Sequence, residues 1–268
     1  MVTGTRRRPH LSRLKMLPQR KPNDRVFGPF DSRRLGRSLG VNPLPDGPKR
    51  CTFDCVYCEC GQDVTPVTSG GLRAFPTVAE MCSSLERAAS MFASDELDSL
   101  TIAGNGEPTL FPRLGELVDA VIDARDRFWP RARTVILTNG TLLDKPSVRY
   151  AIGRLDRRIV KLDAGIDSML DQLNRPGIKL TIESLVGWIS MIEDVVIQSM
   201  FVHGPMDNTQ PRQLREWAPW IRLISPREVQ VYSVQRMPSY PVLPVERKDL
   251  ERIAQYVENY AGVPAVVY

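Results

Sequence analysis

The sequence predicts an α/β fold in a single domain, a partial (β/α)6 TIM-like barrel of parallel strands. Three observations carry this reading. Short apolar runs alternate with amphipathic helical stretches along most of the chain, the pattern of repeated βαβ units on a parallel sheet, and about six such units can be counted. A length of 268 residues with 42% hydrophobic content suits one barrel-sized domain with a substantial core. Alternation by itself is satisfied equally by a doubly wound sheet or a barrel. The third observation favours the barrel: chemistry-bearing residues recur just after strand ends, where barrel enzymes build their sites.

In chain order, residues 1–25 are rich in Arg and Pro and lack periodicity, so they read as a basic tail preceding a folded unit over 26–268. Arg6, Arg7, Arg8, Arg13, Lys15, Arg20 and Lys21 supply much of the net charge of +5. The tail reads either as an arm for nucleic acid or another polyanion, or as a solvated, mobile end. A first strand falls at 38–44, followed by a cysteine-rich loop and a Gly/Pro/Thr-containing linker to about Pro76. Helix 78–92 precedes strand 99–102, helix 114–124 precedes strand 134–137, and helix 146–153 precedes strand 159–162. Helical segments at 169–173 and 182–191 lead to strand 195–202, and helix 211–223 leads to strand 228–233. A last helix, 246–260, ends in a short apolar tail, 263–268. Right-handed crossovers wind such units in one direction.

No apolar run approaches the roughly 20 residues of a membrane span. No apolar stretch follows the Arg-rich start, which argues against a secretory signal and for a cytoplasmic location. Four of the five cysteines sit within ten residues, and that clustering reads as metal binding rather than as a disulfide framework. The fifth, Cys82, lies in a helical pattern and reads as a small core residue.

The key segment runs Cys51-Thr-Phe-Asp-Cys55-Val-Tyr57-Cys58-Glu-Cys60. Thiolates are soft ligands for iron–sulfur clusters and zinc. Three on one short loop reach three corners of a cubane and leave a fourth iron open to a small molecule. Two other readings stay open here: a structural zinc site with Cys60 as fourth ligand, and a four-cysteine electron-transfer cluster. The CxxxCxxC spacing with an aromatic residue before the last cysteine resembles the signature of the radical SAM superfamily. That resemblance implies a [4Fe–4S] cluster on Cys51, Cys55 and Cys58 and S-adenosylmethionine (SAM) as cofactor, reductively cleaved to a 5′-deoxyadenosyl radical that abstracts hydrogen from substrate.

Further strand ends fit the same resemblance. Gly104-Asn105-Gly106-Glu107-Pro108 is similar to the family's GGEP turn, with Asn105 in place of the first glycine, and implies contact with the SAM methionine group. Thr138 and Asn139 close the next strand and Lys161 and Asp163 the one after; Gln198 and His203 lie on the fifth and Tyr232 on the sixth. The resemblance implies SAM-site roles for these residues and for Tyr57. Plain turn residues, a Lys161–Asp163 rim pair and a satisfied rim histidine are the ordinary readings. Gln235 and Arg236 are candidates to face substrate. Arg33, Arg34 and Arg37 offer anion binding near the site, or surface charge.

The segment 26–40 together with the 104–108 turn looks closest to the branch grouped with tRNA wyosine-base synthases, although only Cys60 and Cys82 are spare for a second cluster. The expected substrate is a small metabolite, nucleoside or nucleotide. The alternatives are a tRNA base, a protein such as a glycyl-radical enzyme, and a non-catalytic iron–sulfur or zinc protein. The natural electron donor is a flavodoxin or ferredoxin, and no membrane partner is expected.

Overall fold

The computed structural model describes residues 25–61, 75–235 and 240–268. The basic tail falls outside them except for Arg25, whose guanidinium pairs with Asp46 at 2.8 Å. Arg236 also lies outside the described residues.

Strands β1 (Val26–Ser32) and β2 (Gly36–Val41) form an antiparallel hairpin. The chain then alternates: α1 (Val78–Ala89), β3 (Ser99–Ile102), α2 (Leu114–Phe128), β4 (Arg133–Thr138), α3 (Pro146–Gly153), β5 (Arg157–Lys161), α4 (Asp167–Leu173) and α5 (Ile182–Ile189). It continues through β6 (Val195–His203), α6 (Pro211–Ile224), β7 (Glu228–Ser233), β8 (Leu243–Pro244), α7 (Arg247–Ala261) and β9 (Ala265–Val267). The strand order is β1-β2-β3-β4-β5-β6-β7-β9, parallel from β2 onward, with β8 antiparallel to the end of β6. This is a single α/β domain with a mostly parallel central sheet, as the sequence predicts. No helix among the described residues is long and apolar enough to cross a membrane.

Two elements differ from expectation. The apolar tail 263–268 contributes a seventh parallel strand, β9, because Val229 N–H donates to Pro264 O at 2.8 Å and sets Val229 in register with Ala265. β1 escaped notice because Gly28 and Pro29 argue against a strand. At a sheet edge both are tolerated, and the register shifts between Phe27 and Phe30 as a bulge.

Alternation along the strands gives the sheet two faces. One carries Leu39, Leu100, Ile102, Ile136, Val160 and Ile197, all fully buried in the main core with residues of the helices such as Leu85, Val121 and Trp217. The register places Arg133, Val135, Leu137, Arg157, Ile159, Lys161, Val196, Gln198, Gln230 and Tyr232 together on the other. Val135, Ile159 and Val196, with Leu35 and Leu137 packed against them, make a separate apolar belt there. Charged and polar layers flank the belt: arginines toward the strands' N-terminal ends, and Lys161, Gln198 and Tyr232 toward their C-terminal ends.

On that face β2 contributes Gly40, and the Phe27 ring of β1 lies against it: a Cβ there would meet Phe27 Cζ at 2.2 Å. Substituting Gly40→Val should displace the ring and β1, lowering stability by about 1–3 kcal/mol. The urea-denaturation midpoint measures this, and an unchanged midpoint would mean that Phe27 is not seated there.

Candidate active site

The cysteine loop follows β2 and has no regular structure of its own, so its path must be fixed by neighbours. Its first anchor is the turn after β3. Arg50 N–H donates to Asn105 O (3.0 Å), and Glu107 N–H donates to Arg50 O (2.8 Å). Backbones come this close because Gly106 has no side chain: a Cβ there would lie 1.6 Å from Arg50 O. The second anchor is the turn after α4. Asp54 N–H and Val56 N–H donate to the carbonyls of Asn174 and Leu173 (both 2.9 Å), and Gly177 N–H donates to Thr52 O (2.9 Å). A third support is the buried Lys49 ammonium, which donates to Asp54 (2.7 Å) and Gly61 O (2.8 Å). Burial opposes the Lys49 charge, but the hydrogen bond to Asp54 and the neighbouring negative groups hold its pKa above the ordinary lysine value.

Glu107 ties the first anchor to β4. Its carboxylate is 2% exposed and accepts from Thr109 N–H (3.0 Å) and Thr109 Oγ1 (2.5 Å), from Thr138 Oγ1 (2.6 Å) and from Asn139 N–H (2.7 Å). Burial still raises its pKa despite these donors. Glu107 is thus a positioning residue within the turn, and Pro108 opens the one-turn 3-10 helix behind it, Pro108–Leu110. Asn105 Nδ2 donates to Pro45 O (3.2 Å) and Gly47 O (3.3 Å), while its buried Oδ1 has no partner.

Side chains reach the sulfurs from both anchors. Asn139 Nδ2 approaches Cys51 Sγ at 3.6 Å and donates to Thr52 Oγ1 at 2.8 Å; Phe53 N–H points at Cys51 Sγ at 3.4 Å. Asn174 Nδ2 donates to Cys55 Sγ (3.4 Å), to Tyr57 Oη (2.8 Å) and to Asp163 Oδ2 (2.7 Å). Asp163 also accepts the Tyr57 hydroxyl and, through Oδ1, Met200 N–H at 2.7 Å. Lys161 Nζ lies 3.6 Å from Asp163, 4.8 Å from the Tyr57 ring centroid, and donates to Tyr232 Oη at 3.0 Å. Tyr232 donates on to Gln198 (3.1 Å), and Gln198 to Gln230 (3.0 Å). Burial works against the Lys161 charge, but Asp163 above all offsets it and raises the pKa. Burial pushes the Cys55 thiol up to about 11 and, with Asp163, lifts the Tyr57 phenol well above its usual value. A hydrogen bond from Cys60 draws the Cys58 thiol below the ordinary range and pushes Cys60 above it.

The structure therefore joins Cys51, Cys55, Cys58, Tyr57, Asn105, Gly106, Glu107, Pro108, Thr138, Asn139, Lys161, Asp163, Gln198 and Tyr232 in one network of loop, turns and strand ends. His203 pairs instead with Asp207 and Thr209 (3.2 Å each). Arg34 reaches the network from outside, its guanidinium 4.6 Å from the Tyr232 ring centroid, while no contact joins Arg33 or Arg37 to the cysteine loop among the described residues. All three sit on the β1–β2 turn and the start of β2, at the N-terminal ends of the parallel strands, because the hairpin reverses the chain before β2 begins. Sequence reasoning passed over Asn174. Its place at the C-cap of α4, two residues before Pro176, marks a turn but gives no sign that the turn touches Cys55.

Among the described residues no group of three or more His, Cys, Asp or Glu side chains is assembled as a metal-ion site. The chemistry of the loop fits thiolate ligation nonetheless. Three free thiols lie on one eight-residue loop, and N–H donors are aimed at the sulfurs of Cys51 and Cys55, the kind of bond that tunes cluster sulfurs.

Solved structures share this architecture. A radical SAM methyltransferase from Sphaerobacter thermophilus superposes with a TM-score of 0.63 at 17% identity, covering 86% of this chain and 65% of that one, so the chain spans a little under two thirds of its length. TYW1 with a lysine-pyruvate adduct bound superposes with a TM-score of 0.60 at 15% identity, covering 84% and 74%. At these identities the likeness is one of fold, the partial barrel. No protein-family model matches the chain. It is 31% identical over 244 residues to UPF0026 protein slr1464 of Synechocystis sp. (strain ATCC 27184 / PCC 6803 / Kazusa), covering 89% of this chain and 82% of that protein. The chain belongs to the UPF0026 family.

Two substitutions test the anchors. Gly106→Val should force Arg50 away and free the loop from the β3 turn, seen as faster amide exchange across residues 50–58. Unchanged exchange would dissociate the turn from the loop. Glu107→Ala strands four buried donors and should cost about 3 kcal/mol in denaturant unfolding.

Proposed function

We propose that this protein is a radical SAM enzyme that acts on a small metabolite, nucleoside or nucleotide. The observation that carries the reading is the double anchoring of the Cys51–Cys58 loop, between a Gly-Asn-Gly-Glu-Pro turn and the Asn174 turn, with N–H donors aimed at the sulfurs. The fold shared with radical SAM structures supports the class.

Cys51, Cys55 and Cys58 would hold a [4Fe–4S] cluster, which with bound SAM supplies one-electron cleavage to a 5′-deoxyadenosyl radical. The chain's own residues do the remaining work. Phe53 N–H, Asn139 and Asn174 donate to sulfur and stabilise negative charge there. Glu107, through Thr138 and Asn139, holds the strand-end turn rigid beside the loop. Asp163 sets the orientation of Tyr57 and of the Lys161 ammonium, which places a positive charge in the wall of the site. Asn105 keeps an unmet buried acceptor next to the loop, suited to an ammonium donor. A flavodoxin or ferredoxin would deliver the electron.

Anaerobic reconstitution with iron and sulfide, followed by dithionite and SAM, tests the proposal by chromatography for 5′-deoxyadenosine. Wild type should form it, and Cys55→Ala should lower it at least a hundredfold, with the far-ultraviolet circular dichroism retained. A colourless zinc protein, or product undiminished in Cys55→Ala, would overturn the assignment. A tRNA base is the second reading; salt-sensitive tRNA binding lost on deleting residues 1–22 would favour it over a small substrate.

A further inference from the structure

The opposite end of the strands holds a polar cavity of about 420 Å³, lined by Arg34, Asp98, Arg131, Arg133, Val135 and Arg157 among others. It opens at the N-terminal ends of β3, β4 and β5, with Val135 of the apolar belt in its wall. The belt lies between it and the layer of Lys161, Gln198 and Tyr232. Four arginines therefore line one cavity, with Asp98 as the one carboxylate among the lining residues. Arg157 shares Glu228 at 3.6 Å. Asp98 Oδ2 already accepts Arg37 N–H at 2.7 Å. Arg131 and Arg133 have no ion pair among the described residues. Arg34 rests on the Tyr232 ring, 4.6 Å from its centroid, and its Nη1 is buried without a hydrogen-bond partner.

Converging like charges repel, and a buried unpaired donor on a cation is costly. An anion in the cavity would offset the repulsion. Guanidinium forks match phosphate oxygens in geometry and charge, and the volume lies in the range of small-ligand sites, roughly 300–1,000 Å³. We propose that this cavity binds a polyphosphate group, either free pyrophosphate or the phosphates of a nucleotide. The inference stands apart from the radical SAM reading, because the cavity's lining includes none of the residues of the cysteine site; only Arg34 reaches that network, at the Tyr232 ring.

Isothermal titration of the full chain with pyrophosphate, ATP and, as a phosphate-free polyanion, citrate tests it at low and moderate salt. Pyrophosphate should bind, more weakly as salt rises. The Arg131→Gln/Arg133→Gln double variant should bind at least tenfold more weakly with an unchanged melting temperature, and Arg131→Gln alone, at an exposed side chain, several-fold more weakly. Tighter binding of ATP than of pyrophosphate would identify a nucleotide as the source, and equal binding would identify free polyphosphate; both support the site. Absent pyrophosphate binding, undiminished binding in the double variant, or citrate binding as tightly as pyrophosphate would overturn it.

Discussion

The backbone bonds between Arg50 and the Asn105–Glu107 turn are the contact on which the rest of the site depends. A loop of irregular backbone gains little from its own internal hydrogen bonds, since among the described residues Cys58 N–H to Cys55 O is the one backbone–backbone bond within 51–58 and Phe53 N–H to Cys51 Sγ the one from backbone to side chain. Its shape is therefore borrowed. On one side it is borrowed from a strand-end turn that Glu107 welds to β4, and on the other from the residues that end α4. Gly106 makes the first contact geometrically allowed; Asn174 makes the second chemically useful, because one amide reaches Cys55, Tyr57 and Asp163 together.

From that clamp the electrostatics follow. Asp163 is fully enclosed and would be expensive there alone. Met200 N–H, Asn174, Tyr57 and the Lys161 ammonium supply its partners, and in doing so fix the rotamers of the aromatic and cationic groups along the inner face. The chain from Lys161 through Tyr232 and Gln198 to Gln230 extends that order across the strands, above the apolar belt. Below the belt the character changes to arginine. The inner face is thus divided into two polar regions of different charge balance: one with acids and bases paired, the other with cations in surplus.

Much of this was legible in the sequence. The repeated strand–helix rhythm gave the barrel, because outward-facing residues such as Leu100, Ile136 and Val160 must be buried under amphipathic helices. The cysteine spacing and the Gly-Asn-Gly-Glu-Pro turn marked the site, because those residue types suit thiolate ligation and close backbone approach. The edge hairpin was illegible, since Gly28 and Pro29 oppose a strand and become acceptable only where no further strand pairs beyond. Glu107 was read as part of a turn that contacts SAM; the sequence did not show that its buried carboxylate accepts from Thr109, Thr138 and Asn139. The arginines at 33–37 lay close to the cysteines in sequence, yet the hairpin and the length of β2 carry their backbone to the far end of the sheet, from which only the Arg34 side chain reaches back to Tyr232.

By itself, then, the sequence determined the periodicities, the soft-ligand loop and the residues able to turn tightly beside it, all of which are local consequences of side-chain type and spacing. The tertiary structure alone decided which distant groups meet. Asn174 reaches Cys55 across 119 positions and Thr141 meets Thr52 across 89. Strand register, not sequence neighbourhood, gathers Arg34, Arg131, Arg133 and Arg157 around one cavity. Such meetings depend on how parallel strands align side by side, a three-dimensional constraint that no single stretch of chain encodes.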